Sequence, residues 1–143
     1  FFNELSRTLN HNGGAIIIEP YYGPFATLVY NNLFNTETFN KKQIEWDNSS
    51  NYIMKGANQA LSYIIFKRDK LIFQKKFPQL KIVYSKPLNN WLRYLLSGGL
   101  NFKQLVPNNF NNIIKCIELS LIPLVKIFAL HHIIVIKKVK HTS

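Results

Sequence analysis

A carboxylate, Glu19, closes the apolar run Ala15-Ile16-Ile17-Ile18 and is followed by Pro20, Tyr21 and Tyr22. The run is mostly β-branched and does not alternate, which predicts a strand buried on both faces of a parallel sheet, with Pro20 stopping its ladder. Ligands of open α/β sheets sit beyond the carboxyl ends of the strands, so Glu19 to Pro24 is the part of the chain placed to face an active site. Glu19 could orient a substrate there or act as a base, while Tyr21 and Tyr22 could wall a pocket and supply hydroxyls. The competing use is structural: Glu19 caps a turn and the tyrosines pack under a following loop. Asn58 and Gln59, at a helix start, could hydrogen-bond a ligand, although capping is the more frequent use of such residues. These five residues are rim candidates, and none is assigned a catalytic role.

Other groupings carry less chemistry. His131 and His132 are adjacent in a segment read as a strand, where neighbouring side chains point to opposite faces, so they do not readily share one ion. With one cysteine and no H-x-x-x-H or H-E-x-x-H spacing, no metal site is expected. Cys116 stands beside Lys115 but in an apolar helical stretch, and reads as a small core residue rather than a nucleophile. Basic residues come in groups: Lys41-Lys42, Lys67-Arg68 with Lys70, Lys75-Lys76, and Lys137-Lys138 with Lys140. Interleaved with Phe66, Phe73 and Phe77 they could form a nucleic-acid surface, but solvated helix faces are the common use of such groups. Lysine also far outnumbers the arginine that base reading favours, so nucleic acid is not the expected partner.

The elements that must hold these residues follow from periodicity. Phe2, Leu5 and Leu9 share a helical face, and Asn10-His11-Asn12-Gly13-Gly14 closes that helix. Pro24 opens a helix to Phe34, with Phe25, Leu28 and Val29 on one face. Residues 35–55 lack pattern and read as a long loop or lid. A second helical region runs from Gly56 to Phe77, with Asp69 capping a separate second piece and Pro78 ending it. Residues 80–84 read as a strand and 91–96 as a short helix closed by Gly98-Gly99. Phe110, Ile113, Ile114, Ile117 and Leu121 then form an apolar stripe, a helix that Pro123 ends or kinks, before a last strand over 128–136. Packing onto a sheet is the default for such a stripe. Its flanking Lys115 and Lys126 give it a second reading, as a helix lying on an anionic membrane surface or meeting an apolar acceptor.

The 143 residues are one domain's worth, and 47% hydrophobic residues exclude wholesale disorder. The net charge of +11 is unevenly spread: residues 1–40 carry one arginine against three glutamates, and the rest carry seventeen basic against four acidic residues. A single cysteine excludes an intramolecular disulfide and fits a reducing, cytoplasmic setting. No transmembrane segment is expected, because the best apolar run, 117–136, is broken by Glu118, Pro123, Lys126 and the two histidines. The only methionine is Met54, so the chain reads as processed or as part of something longer.

The segment Phe2-Asn3-Glu4-Leu5-Ser6-Arg7-Thr8-Leu9-Asn10, with Gly13-Gly14-Ala15-Ile16-Ile17-Ile18-Glu19-Pro20, resembles the C-terminal half of class I S-adenosylmethionine-dependent methyltransferases. In that family the helix before the fifth strand commonly ends Glu-Leu-x-Arg-x-Leu, and Gly-Gly precedes the apolar strand. His11-Asn12 stands where Lys-Pro is common. The resemblance implies a Rossmann-like sheet of strand order 3-2-1-4-5-7-6 with an antiparallel seventh strand. Residues 15–19, 80–84 and 128–136 would be strands five, six and seven, with the last between the other two. Typical members join strands six and seven by a short hairpin, whereas here residues 85–127 intervene.

The resemblance further implies methyl transfer from S-adenosylmethionine to a small or lipid-like acceptor, by a longer chain whose donor-binding half lies upstream of Phe1. No cofactor-binding residue can be carried over, because Gly13, Gly14, Gly23, Gly56, Gly98 and Gly99 form no G-x-G-x-x-G turn. Alone, the chain would be inactive, with the outer edge of its first strand open. The alternative is a non-enzymatic basic binding module that contacts nucleic acid or an anionic membrane surface.

Overall fold

The computed structural model describes residues 1–33, 38–46, 58–99 and 103–139. Helix α1 (Phe2–Thr8) leads through a turn, where Asn12 takes the left-handed conformation at φ 63°, into strand β1 (Gly14–Pro20). A Cβ on Gly14 would lie 2.9 Å from the carbonyl oxygen of Ile136, so glycine lets β1 start against its neighbour. Helix α2 (Pro24–Leu33) follows, as its N-terminal proline predicts. The second helical region is three pieces: α3 (Leu61–Tyr63), a π-helical turn (Ile64–Arg68) and α4 (Lys70–Lys76). Then come β2 (Leu80–Pro87) and α5 (Trp91–Leu96), closed by Gly98 at φ 96° and Gly99 at φ 50°. A 3-10 turn (Asn108–Phe110) precedes α6 (Asn111–Ser120), and a second one carrying Pro123 (Ile122–Leu124) separates it from α7 (Val125–Phe128). The last strand, β3, is His131–Lys138, so Phe128, expected to open that strand, closes α7 instead. Of the expected loop or lid over 35–55, residues 38–46 form irregular chain with an isolated bridge from Thr38 to Asn58; the remainder lies outside the described residues.

The protein is mixed α/β, with a three-stranded sheet ordered β1-β3-β2. β3 pairs antiparallel with both neighbours, from Gly14↔Lys137 to Pro20↔His131 and from Leu80↔Lys138 to Pro87↔His132, with Val83 bulged out of β2. β1 and β2 therefore run the same way with the last strand between them. Among the described residues every ladder of the sheet is antiparallel.

Helices cover one face. Phe2 and Leu5 of α1 and Leu9 just after it pack with Ile65, Phe73 and Phe77 over Leu80, Ile134 and Ile136. On the opposite face Ile16 and Ile18 are 68% and 60% exposed, so β1 is an edge strand with one covered face rather than a strand buried on both. Its isoleucines fill both faces, so the period-2 signal that would have revealed this is missing from the sequence. A second core joins α2 to α5 at the far end of the sheet, where Ala26, Val29, Tyr30 and Leu130 meet Phe25, Trp91, Tyr94 and Leu95.

Candidate functional site

The carboxyl ends of β1 and β2 and the start of β3 meet at one end of the sheet, because Pro20 pairs with His131 and Pro87 with His132. Glu19 sits at this end and faces a cleft of about 950 Å³ between α1, the α3–α4 region and the 44–46 segment. Asn58, Gln59 and Ser62 line the same cleft, and Trp46 and Phe66 give it aromatic walls. The Glu19 carboxylate makes no ion pair or hydrogen bond among the described residues, and burial pushes it above the usual carboxylate range. Ser62 Oγ donates to the Pro20 carbonyl oxygen at 2.5 Å, tying α3 to the end of β1.

The five rim candidates divide. Glu19, Asn58 and Gln59 come together at the cleft, but Asn58 is fully engaged in structure. Its Oδ1 accepts from the backbone N–H of Asn40 at 2.9 Å and of Ala60 at 3.0 Å, and its Nδ2 donates to the Asn40 carbonyl and Gln43 Oε1, both at 2.8 Å. Gln59 donates its backbone N–H to the Thr38 carbonyl at 2.7 Å. Tyr21 and Tyr22 turn instead to His132, at ring-centroid distances of 5.6 and 5.4 Å, and Tyr22 continues to Tyr63 at 5.2 Å. Burial raises both phenols. His132 is 1% exposed with both ring nitrogens lacking a partner, and burial, with His131 beside it, lowers it to about 4. His131 takes the opposite face, against Tyr94 at 4.5 Å, as strand alternation requires.

Two arrangements carry no signal in the sequence. Asp69 does not cap α4 with its side chain; Arg68 donates to it at 2.8 and 2.7 Å, and Trp46 Nε1 at 2.9 Å. The Arg68 hydrogen bonds, helped by Trp46, hold Asp69 down at about 2. Arg68 also donates to the carbonyls of Lys41 and Gln43, at 3.0 and 2.7 Å, and so holds one wall of the cleft. Lys41 in turn donates to the Tyr22 carbonyl at 3.1 Å and Thr27 Oγ1 at 3.0 Å. Two members of the basic groups are thus structural clamps rather than solvated charges. Cys116 is exposed, not a core residue. Among the described residues no group of three His, Cys, Asp or Glu could hold a metal, and no helix is long and apolar enough to cross a membrane.

Comparison with known proteins returns no match: no family model, no curated protein and no solved structure is significantly similar to the chain.

Proposed function

We propose that the chain is the acceptor-side part of a class I methyltransferase, working within a longer chain that moves a methyl group from S-adenosylmethionine to a small or lipid-like acceptor. The observation that carries this reading is the sheet. Two strands run the same way with the last strand antiparallel between them, helices cover one face, and among the described residues the outer edge of β1 is open beside bare Ile16 and Ile18. A Rossmann-like methyltransferase sheet has this arrangement for its strands five, seven and six. Its remaining strands would continue from the open edge of β1, and their helices would cover the isoleucines.

The chain's own residues do not build a cradle for the donor, since its glycines form no glycine-rich turn between a strand and a helix. No step is therefore assigned to the donor here. What the described residues supply is a cleft at the end of the sheet lined by Glu19, Gln59 and Ser62, with the Tyr21-Tyr22 pair beside it on His132. Group transfer by direct displacement needs alignment above all, and an unpartnered, partly desolvated carboxylate such as Glu19 is suited to hold an acceptor or receive its proton.

Calorimetric titration with S-adenosylmethionine tests this. The chain extended upstream through its reading frame is expected to bind the donor, and residues 1–143 alone are not. Tight binding by residues 1–143, or none by the extended chain, overturns the reading.

A further inference from the structure

We propose that α6, α7 and the turns around them form a docking surface for an anionic lipid bilayer. The apolar stripe of this segment faces outward. Phe110, Ile113, Ile117, Ile122 and Ile127 are all exposed, whereas the residue that α6 buries is Glu118. A helix that merely covers a core has the reverse pattern, and a cluster of exposed apolar side chains on one short segment marks an interaction site.

The charge around the stripe identifies the partner. The described residues that carry the stripe, 103–130, contain Lys103, Lys115 and Lys126 and a single carboxylate, Glu118, which is buried on Arg93. Lys103, Lys115 and Lys126 are exposed on the segment, with no exposed carboxylate between them. A bilayer with anionic headgroups satisfies apolar side chains and lysines at once. A nucleic acid would meet the lysines but leave the isoleucines in water, and a second copy would set one strongly basic surface against another. No described helix can cross the bilayer, so the segment lies on it. Because α5 to α7 connect Pro87 to His131, docking would bring the Glu19 end of the sheet toward the lipid. The inference stands whether or not the chain takes part in methyl transfer.

Flotation of the 143-residue chain with vesicles tests it, without any methyl donor. The chain is expected to float with vesicles of phosphatidylcholine and phosphatidylglycerol, about tenfold more tightly than with phosphatidylcholine alone. Binding should weaken as salt rises. The I113N/I117N variant, changed only at exposed positions, is expected to keep its circular dichroism and lose binding. Removing Lys115 and Lys126 by alanine should weaken it by about fivefold each, a second readout that does not depend on the isoleucines. A fluorophore on Cys116, the only cysteine and exposed on α6, should shift to the blue on anionic vesicles. The proposal is overturned if the chain does not float, if I113N/I117N floats as the parent does, or if that variant instead dissociates a dimer that ignores vesicles.

Discussion

Arg93 of α5 holds Glu118 of α6 with both its guanidinium and its backbone N–H, the latter at 2.9 Å, and Glu118 is 1% exposed. This contact orients α6: its carboxylate turns inward, so its isoleucines turn out. Removing one partner of a buried pair leaves the other uncompensated, which typically costs about 3 to 5 kcal/mol. Arg93 retains access to water, so E118A is expected at or below the lower end, about 2 to 3 kcal/mol in urea unfolding. E118Q, which keeps an acceptor for the Arg93 N–H, should lose less. An unchanged urea midpoint for E118A would show that the pair does not orient α6.

His132 sets an acid limit on stability. Its ring is buried against Tyr21 and Tyr22, both nitrogens lack partners, and its folded pKa of about 4 lies below the unfolded value near 6.5. Between those two values the unfolded chain binds the proton more readily, so stability falls as pH drops through this window, by about 3 kcal/mol in all. His131, lowered by burial, acts in the same direction. Glu19, directly across the ladder from His132 and raised by burial, acts in the opposite one, gaining stability as it is protonated. H132F removes the titrating ring, and neither nitrogen leaves a partner behind. Its denaturation midpoint should vary less between pH 4 and 6.5 than the parent's; an equal slope would assign the acid limit elsewhere.

What the sequence made legible is what local spacing encodes. The helix at Phe2, the strand at Ile16-Ile17-Ile18, the opposed histidines and the Gly98-Gly99 stop all appear where periodicity and turn chemistry place them. What it hid depends on partners distant along the chain. Glu118 turns inward because of a residue 25 positions away, and Trp46 is fixed by Asp69 from within a segment that has no pattern at all. At the site, the position of Glu19 followed from the strand before it, whereas the turn of Tyr21 and Tyr22 toward His132 required the β1–β3 register.

Lys138 secures α1 to the sheet. Its ammonium donates to the carbonyls of Ser6 and Leu9 at 2.7 and 2.8 Å, meeting the negative end of the helix. K138M keeps most of the apolar stem and removes these bonds, with an expected loss of about 1 to 2 kcal/mol. Amide exchange of residues 2–9 should accelerate more than that of β3. Uniform acceleration would show that the lysine acts on the whole fold and not on the helix.

Asp69 keeps the 41–46 segment against the cleft through Arg68 and Trp46. Because its carboxyl is held at about 2, this clamp stays charged at every pH at which the protein is ordinarily handled. D69A is expected to release both partners and to speed trypsin cleavage after Lys41 and Lys42, with a smaller change in global unfolding, since only Trp46 of the clamp packs against a hydrophobic core. Cleavage at the parental rate would mean that Arg68 alone suffices.

The open edge of β1 makes the last prediction. Seven residues from Gly14 to Pro20 present an unpaired ladder edge among the described residues, and Ile16 and Ile18 beside it lie in solvent. Proteins that expose such edges blunt them with inward-pointing charges, lysine or proline, and β1 carries such residues only at its end, in Glu19 and Pro20, leaving Gly14 to Ile18 unguarded. The 143-residue chain is therefore expected to self-associate through β1 as its concentration rises, despite the repulsion of its net positive charge. I16K and I18K place a charge on the bare face and should return the chain to a monomer in sedimentation velocity while leaving the α1–α4 core intact, because neither side chain enters it. In the chain extended upstream, the methyltransferase reading covers this edge with a fourth strand, so the same lysines should there cost stability rather than cure association. Opposite signs for one substitution in the two chains would tie the exposed isoleucines to the fourth strand that reading proposes; the same sign in both would detach the edge from that reading.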